Sequence, residues 1–336
     1  MRKFIAFVLL AILIQACNGN TASASIPNET PLPTSTLLPT FTATIARTPT
    51  MAVTPTDTPL LGKVSRVIIV SFDGLRPDAI TEAPMTDLIH WMQNGAYTLE
   101  ARTIAPSLTL PAHASMLSGL CASQHGITWN SGLIEWGYSK GADIFDLAHA
   151  AGMRTVMIVG KDKLRALAQP ESTDVFEIHG ADQDIFQAAI DQLSLGFNLM
   201  FVHIPSADDR GHQYGWMTNA QFKALRESDA GFGDLIAKLE QLGLTNSTLV
   251  IVNADHGGHD KNHDGSQLAD QLIPWAMVGP DVEAEKLVNL VSITDTAATA
   301  AYALDLPLQP EWAGIPVYEG FGLPSPKIHE NVPCKN

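Results

Sequence analysis

Uninterrupted apolar runs alternate along this chain with segments whose apolar residues recur every three or four positions. Val64 to Ser71, Arg154 to Val159, Asn198 to Ile204 and Leu249 to Asn253 each predict a strand buried on both faces. Asp78 to Gln93 reads as a helix. Asn219 to Leu242 is a clear helical signal, with Phe222, Leu225, Phe232, Leu235, Ile236 and Leu239 at helical spacing and Gly243 as its stop. Toward the C-terminus, Ala276 to Val278 and Leu287 to Ile293 read as strands, and Thr294 to Ala303 as an alanine-rich helix. Buried strands alternating with helices predict an α/β fold, a three-layer α/β/α sandwich with a largely parallel central sheet.

The first 60 residues follow a different pattern. Arg2 and Lys3 precede an apolar run from Phe4 to Ile14, so residues 1–16 read as an export signal too short for a comfortable membrane span. The run ends Leu13-Ile-Gln-Ala-Cys17, which resembles the lipobox of bacterial lipoproteins. That resemblance implies lipidation of Cys17 and an extracytoplasmic protein anchored to a bacterial membrane by acyl chains. An ordinary signal peptide with an incidental Cys17 is the alternative. Residues 17–60 are rich in Thr, Pro, Ser and Ala and nearly free of charge, which predicts an extended linker without a core. Residues 61–336 are long enough for one large domain.

The formal net charge of −15 argues against nucleic acid bound through a basic surface. It does not exclude an anionic substrate, because bound metal ions can invert the local field. Beyond Cys17, the remaining cysteines are Cys121 and Cys334. In an exported chain they permit a disulfide tying the tail to the domain, while two free thiols remain an equal reading.

Candidate chemistry gathers where strands run out, the edge at which open α/β sheets bind ligands. Asp73 follows the first strand, Asp208 and His212 lie in Asp208-Asp-Arg-Gly-His212, and Asp255-His256-Gly257 follows Asn253 and Ala254. His259 and His263 come just after. Each has a plain alternative: a turn aspartate before Gly74, or a solvated polar loop at 255–263. Carboxylates and imidazoles together are ligands that suit a divalent ion such as zinc. Thr109, in Pro106-Ser-Leu-Thr-Leu-Pro-Ala-His113, reads as a helix N-cap and also as a hydroxyl set among backbone N–H groups that favour an incoming anion.

The ordered series Asp73-Gly, Thr109-x-Pro-x-His113, His125-Gly-Ile-x-x-Asn130, Asp208-x-x-Gly-His212, Asp255-His256-Gly and a late histidine resembles the alkaline phosphatase superfamily. It is similar to the branch holding type I phosphodiesterases (nucleotide pyrophosphatases) and the phosphate-irrepressible bacterial alkaline phosphatases. The resemblance spans residues 61–336. It implies two divalent ions, zinc first. One would be held by Asp73, Thr109, Asp255 and His256, the other by Asp208, His212 and His263, with His259 as the substitute and His329 set aside. It also implies that Thr109 attacks phosphorus to give a phosphothreonine, and that the substrate is a small phosphorylated molecule.

Asn130 matches the asparagine that the irrepressible phosphatases use on a phosphoryl oxygen, and Lys161-Asp-Lys163 resembles their Lys-Asp-Arg. Two lysines there would neutralise the extra charge of a monoester, so the sequence favours phosphomonoesters over the alternative of a phosphodiesterase or nucleotide pyrophosphatase. An exposed helix start is the plain reading of both lysines. A sulfatase would need a Cys or Ser at position 109 and an arginine two residues after the proline, and the chain has neither. An inactive metal- or glycan-binding surface lipoprotein would lack a ligand or the nucleophile, whereas a candidate exists for every role.

Overall fold

The computed structural model describes residues 64–131 and 136–334. The export signal, the lipidation site at Cys17 and the linker at 17–60 therefore lie outside the described residues. Among the described residues no helix is long and apolar enough to cross a membrane.

The first apolar run becomes β1 (Arg66–Phe72), buried along almost its whole length. The expected helix at 78–93 is two short pieces, α1 (Ala79–Glu82) and α2 (Thr86–Met92). Pro84 lies between them, and proline removes a backbone donor and clashes with the preceding turn. The chain then forms β2 (Ala96–Arg102), α3 (Thr109–Ser118), α4 (Ala122–His125) and α5 (Ile144–Ala150). Next come β3 (Thr155–Val159), β4 (Val175–Ile178), α6 (Asp182–Leu195) and β5 (Leu199–Ile204). The rest is α7 (Ser206–Tyr214), α8 (Asn219–Gln241), β6 (Thr248–Asn253), α9 (Leu268–Gln271), β7 (Leu272–Val278) and α10 (Asp295–Ala303).

The strands make one seven-stranded sheet in the order β2-β7-β6-β1-β5-β3-β4. The five strands from β6 to β4 are parallel, whereas β7 runs antiparallel to both β6 and β2. The sheet is thus largely parallel, as the apolar runs predict, with an antiparallel margin. One set of helices, α1, α2, α6, α7 and α8, packs together, and a separate set, α3, α4, α5 and α10, does the same. This is the expected α/β/α sandwich.

Three further differences from the sequence reading lie at the antiparallel margin of the sheet. The segment 287–293 forms no strand: it meets β2 through an isolated bridge at Ser292 and another at the preceding Lys286. β2 alternates buried and partly exposed positions as a margin strand does, so it carries no continuous apolar run to mark it. β7 starts at Leu272, four residues before the expected Ala276, and passes through Pro274.

The two cysteines are joined: Cys121, at the start of α4, is bonded to Cys334 across 213 residues of sequence. The bond ties the C-terminal tail to the layer that carries α3. Loop-closure entropy predicts that Cys334→Ser lowers the free energy of unfolding by about 2–4 kcal/mol. In chemical denaturation, reductant should bring the native protein down to the level of the variant and leave the variant unmoved. A variant as stable as the parent would refute the constraint.

Candidate metal centre

β6, β1 and β5 are neighbours in the sheet, and parallel strands lie about 4.8 Å apart. Their C-terminal ends therefore present three consecutive attachment points along one edge. Asp73 directly follows β1, and its amide donates to the carbonyl of Ile204 at the end of β5 (2.9 Å). Asp255 follows β6 by two residues. Asp208 and His212 lie one helical turn apart on α7, so their shared direction comes from (i, i+4) helical spacing rather than from a glycine turn.

Gly74 makes this convergence possible. Its φ is +74°, and a Cβ there would lie 3.1 Å from Cα and Cβ of Asp208. Its amide donates to Oδ1 of Asp255 (3.0 Å), linking the β1 turn to the β6 turn. The amide of His256 donates to the same oxygen (2.9 Å), so Oδ2 of Asp255 is left to point inward.

Three imidazoles enter with their tautomers set by main-chain acceptors. Nδ1 of His256 donates to the carbonyl of Gly257 (2.8 Å), Nδ1 of His212 to that of Lys261 (3.0 Å), and Nδ1 of His263 to that of Ser107 (2.7 Å). A carbonyl can only accept, so each neutral ring carries its proton on Nδ1 and presents a lone pair on Nε2. Nε2 of His256 lies 3.3 Å from Oδ1 of Asp73, 3.2 Å from Oδ2 of Asp255 and 3.4 Å from Oγ1 of Thr109. Nε2 of His212 lies 3.4 Å from Oδ1 of Asp208 and 3.1 Å from Nε2 of His263, which is itself 3.7 Å from that oxygen. The rings of His256 and His263 stack, 3.6 Å apart and 5° from parallel, so the two ligand sets adjoin.

Oδ1 of Asp73, Oδ1 of Asp208 and Oδ2 of Asp255 are buried and accept no hydrogen bond. Buried polar atoms are nearly always partnered, and burying an unpaired carboxylate is costly. Three imidazole lone pairs and three partnerless carboxylate oxygens facing one another form a donor set suited to divalent cations and to zinc in particular. The groupings Asp73–Asp255–His256 and Asp208–His256–His263 each bring their ligand atoms within 4.8 Å of one another. His212 adjoins the second.

The electrostatics agree. Burial and its neighbour His263 hold His256 at about 4, so its ring is neutral at neutral pH. Burial, followed by the carboxylates of Asp73 and Asp208, pushes Asp255 well above the usual carboxylate range. At Asp73 burial acts in the same upward direction, but the Lys161 ammonium and His203 outweigh it and hold the group well below that range.

Thr109 is buried beside His256 at the first position of α3, with Leu108 rather than Thr109 as the N-cap. Asn130 stands at the same helix start: its Oδ1 accepts from the amide of Leu110 (3.0 Å) and from Nζ of Lys163 (3.2 Å), and neither contact uses its amide nitrogen. Lys161 is engaged elsewhere. Its Nζ lies 2.7 Å from Oδ2 of Asp73 and bonds Oδ2 of Asp208. His259 pairs through Nδ1 with Asp270 (2.6 Å) in a separate cluster, and His329 pairs with Asp295 (2.7 Å). It is therefore His263 that joins Asp208 and His212.

The supporting roles of several side chains emerge only in the structure. His203 donates from Nε2 to Oδ2 of Asp73 (2.9 Å), because its Nδ1 accepts from the amide of Gly160 (3.2 Å). A histidine inside the otherwise apolar strand Leu199-Met-Phe-Val-His-Ile204 is a signal that could have revealed it. His113 donates to the carbonyl of Thr109 (2.8 Å) and accepts from Ser71 (2.9 Å), bracing the backbone of Thr109. Trp216 donates to the carbonyl of Gly74 (2.9 Å) and fills space left by Gly211 and Gly258, where a Cβ would meet its ring at 2.6 and 2.2 Å.

A family model described as type I phosphodiesterase / nucleotide pyrophosphatase matches residues 67–135 and 159–302, which include every candidate ligand. Among characterised proteins, bis(5'-adenosyl)-triphosphatase enpp4 of Mus musculus is 27% identical, the match covering 57% of this chain and 47% of that protein. Its counterpart from Bos taurus is 24% identical, over 91% of this chain and 66% of that protein. The chain spans about half the length of the curated relatives it matches first. Among solved structures, murine ectonucleotide pyrophosphatase / phosphodiesterase 5 superposes with a TM-score of 0.65 at 16% identity, covering 77% of this chain and 99% of that one. The same murine protein has been solved in an inactive form in complex with AMP (TM-score 0.64, 16% identity, 76% and 98% covered). An alkaline phosphatase superfamily protein from Vibrio parahaemolyticus gives 0.61 at 17% identity, over 76% and 70%.

The arrangement predicts that His263→Ala weakens zinc binding by at least about 100-fold, whereas His259→Ala costs less than about tenfold. Competition with a chromophoric chelator measures both. Equal losses would remove the distinction between the two histidines.

Proposed function

The chain belongs to the type I phosphodiesterase / nucleotide pyrophosphatase family, and from that premise we propose that it is a divalent-metal-dependent phosphoric ester hydrolase acting on phosphodiester or pyrophosphate bonds of nucleotide-like substrates. The observation that carries this reading is the set of three Nε2 lone pairs and three partnerless carboxylate oxygens gathered beside the Thr109 hydroxyl.

In this reading Asp73, Asp255, His256 and Thr109 would hold one divalent ion, and Asp208, His212 and His263 would hold another, with zinc fitting the nitrogen and oxygen ligands best. The ions supply a lowered pKa for the Thr109 hydroxyl and charge stabilisation at phosphorus. Thr109 forms a bond to phosphorus as the leaving group departs, and water then releases the phosphoryl group from the threonine. The Leu110 amide is bonded to Asn130, Pro111 has no N–H and the Ala112 amide is bonded to Leu108, so Asn130 and Lys163 meet the phosphoryl oxygens at the start of α3. His113, bonded to the carbonyl of Thr109, keeps the nucleophile's backbone in place.

Lys161 and Lys163 incline the sequence reading toward a monoester. The family match and the bis(5'-adenosyl)-triphosphatase relatives weigh the other way, and the AMP complex of the murine relative supports a nucleotide-type leaving or retained group. With Lys161 held by carboxylates, one lysine rather than two is left for a phosphoryl dianion, which also favours the diester.

With zinc supplied, the protein should turn over bis-p-nitrophenyl phosphate faster than p-nitrophenyl phosphate, and faster monoester turnover would reverse the preference. Thr109→Ala should reduce turnover by about 10³-fold or more while zinc content stays near that of the parent. Unchanged turnover would remove Thr109 as nucleophile. Export and lipid anchoring through Cys17 belong to the same proposal: Cys17→Ser should move the protein from the membrane fraction to the soluble one, and an unmoved distribution would count against the anchor.

A further inference from the structure

Lys161 stands two residues after β3, as the N-cap of the short 3₁₀ turn Asp162–Leu167. Its ammonium contacts carboxylates from both ligand sets: Oδ2 of Asp73 at 2.7 Å, Oδ2 of Asp208, and more distantly Oδ1 of Asp209 at 3.9 Å. The side chain is 13% exposed and the two principal carboxylates are buried, so water does little to neutralise the three groups.

The division of oxygens carries the argument. On Asp73 and Asp208 alike, the Oδ2 atom meets the lysine, while the Oδ1 atom has no hydrogen-bond partner and faces imidazole nitrogen, at 3.3 Å from His256 and 3.4 Å from His212 respectively. One oxygen of each pair thus serves a resident cation and the other is free for an exchangeable one. Lys163, two residues on, reaches Asn130 at the start of α3 instead. The neighbouring lysines serve different partners, one the ligand carboxylates and one the phosphoryl side.

We propose that Lys161 is a built-in counter-ion, holding Asp73 and Asp208 together when metal is absent and opposing the incoming divalent ions through like charge. The inference rests on the metal-centre reading given under the proposed function. Two buried carboxylates that lose the ammonium between them are costly even with His203 still donating to Asp73, so the ammonium stabilises the metal-free protein. A positive charge within a few ångströms of a bound divalent ion lowers its affinity, and does so strongly where water is scarce.

The test compares the full chain with Lys161→Met and Lys161→Arg in two measurements without substrate: melting of the metal-free protein, and zinc affinity by competition with a chromophoric chelator. Lys161→Met should melt about 3–6 °C lower without metal and bind zinc about tenfold or more tightly, while Lys161→Arg, which keeps the charge, should stay near the parent in both. Should Lys161→Met not fold without metal, Lys161→Gln carries the same comparison. If the parent binds no zinc, the metal-centre reading itself fails and this inference with it. If the parent binds zinc but Lys161→Met matches it in melting or affinity, or binds more weakly, only the counter-ion role is overturned. A gain in affinity with Lys161→Arg equal to that with Lys161→Met would also overturn it, because charge would not be the cause.

Discussion

The structure is organised around acceptors that face acceptors. Three buried carboxylate oxygens with no donor face three imidazole nitrogens whose protons are turned away, two of them buried and the third, on His212, at the exposed edge. Protein alone does not stabilise such an arrangement, because buried lone pairs without donors raise the energy of the fold. Cations resolve the conflict, and the chain itself supplies Lys161. Much else near the sheet edge can be read as a means of holding these groups in place despite their mutual repulsion.

The sheet does the larger share of that work. Adjacent parallel strands β6, β1 and β5 deliver their ends side by side, and the main chain rather than long side chains sets the separation. Short residues then carry the chemistry: aspartate has a single methylene between backbone and carboxylate, so a rigid strand end translates into a well-placed oxygen. Gly74 lets β1 turn close against α7, and Trp216 occupies the room left by Gly211 and Gly258, covering the imidazole of His212 edge-on at 5.2 Å. Thr109 comes from the other helix layer, on α3, so its approach to His256 depends on how that layer seats on the sheet.

How much of this the sequence disclosed follows from the range of each interaction. Strands buried on both faces write themselves as apolar runs, so β1, β3, β5 and β6 were legible, as was the long amphipathic helix α8. The ligand candidates were legible too, because polar residues placed directly after such runs have few other reasons to cluster. β2 was not, since a marginal strand has no continuous run. Neither was the direction in which Lys161 points: a lysine two residues from another looks alike whether it meets substrate or protein, and only the folded position of Asp208 decides. His203 left a trace, a single imidazole within an apolar strand, but its partner Asp73 lies 130 residues away. The pairing of Cys121 with Cys334 is similarly long-range, and spacing in the chain contains no distance in space.

The three imidazoles are oriented by peptide carbonyls of Gly257, Lys261 and Ser107 rather than by neighbouring carboxylates. Backbone groups survive almost any side-chain substitution, so drift in the surrounding residues does not readily rotate a ring or swap its tautomer. The outer surface of this pocket can therefore be reworked without disturbing the ligand geometry beneath. A scaffold wired in this way tolerates change in its surroundings while its donor set stays the same.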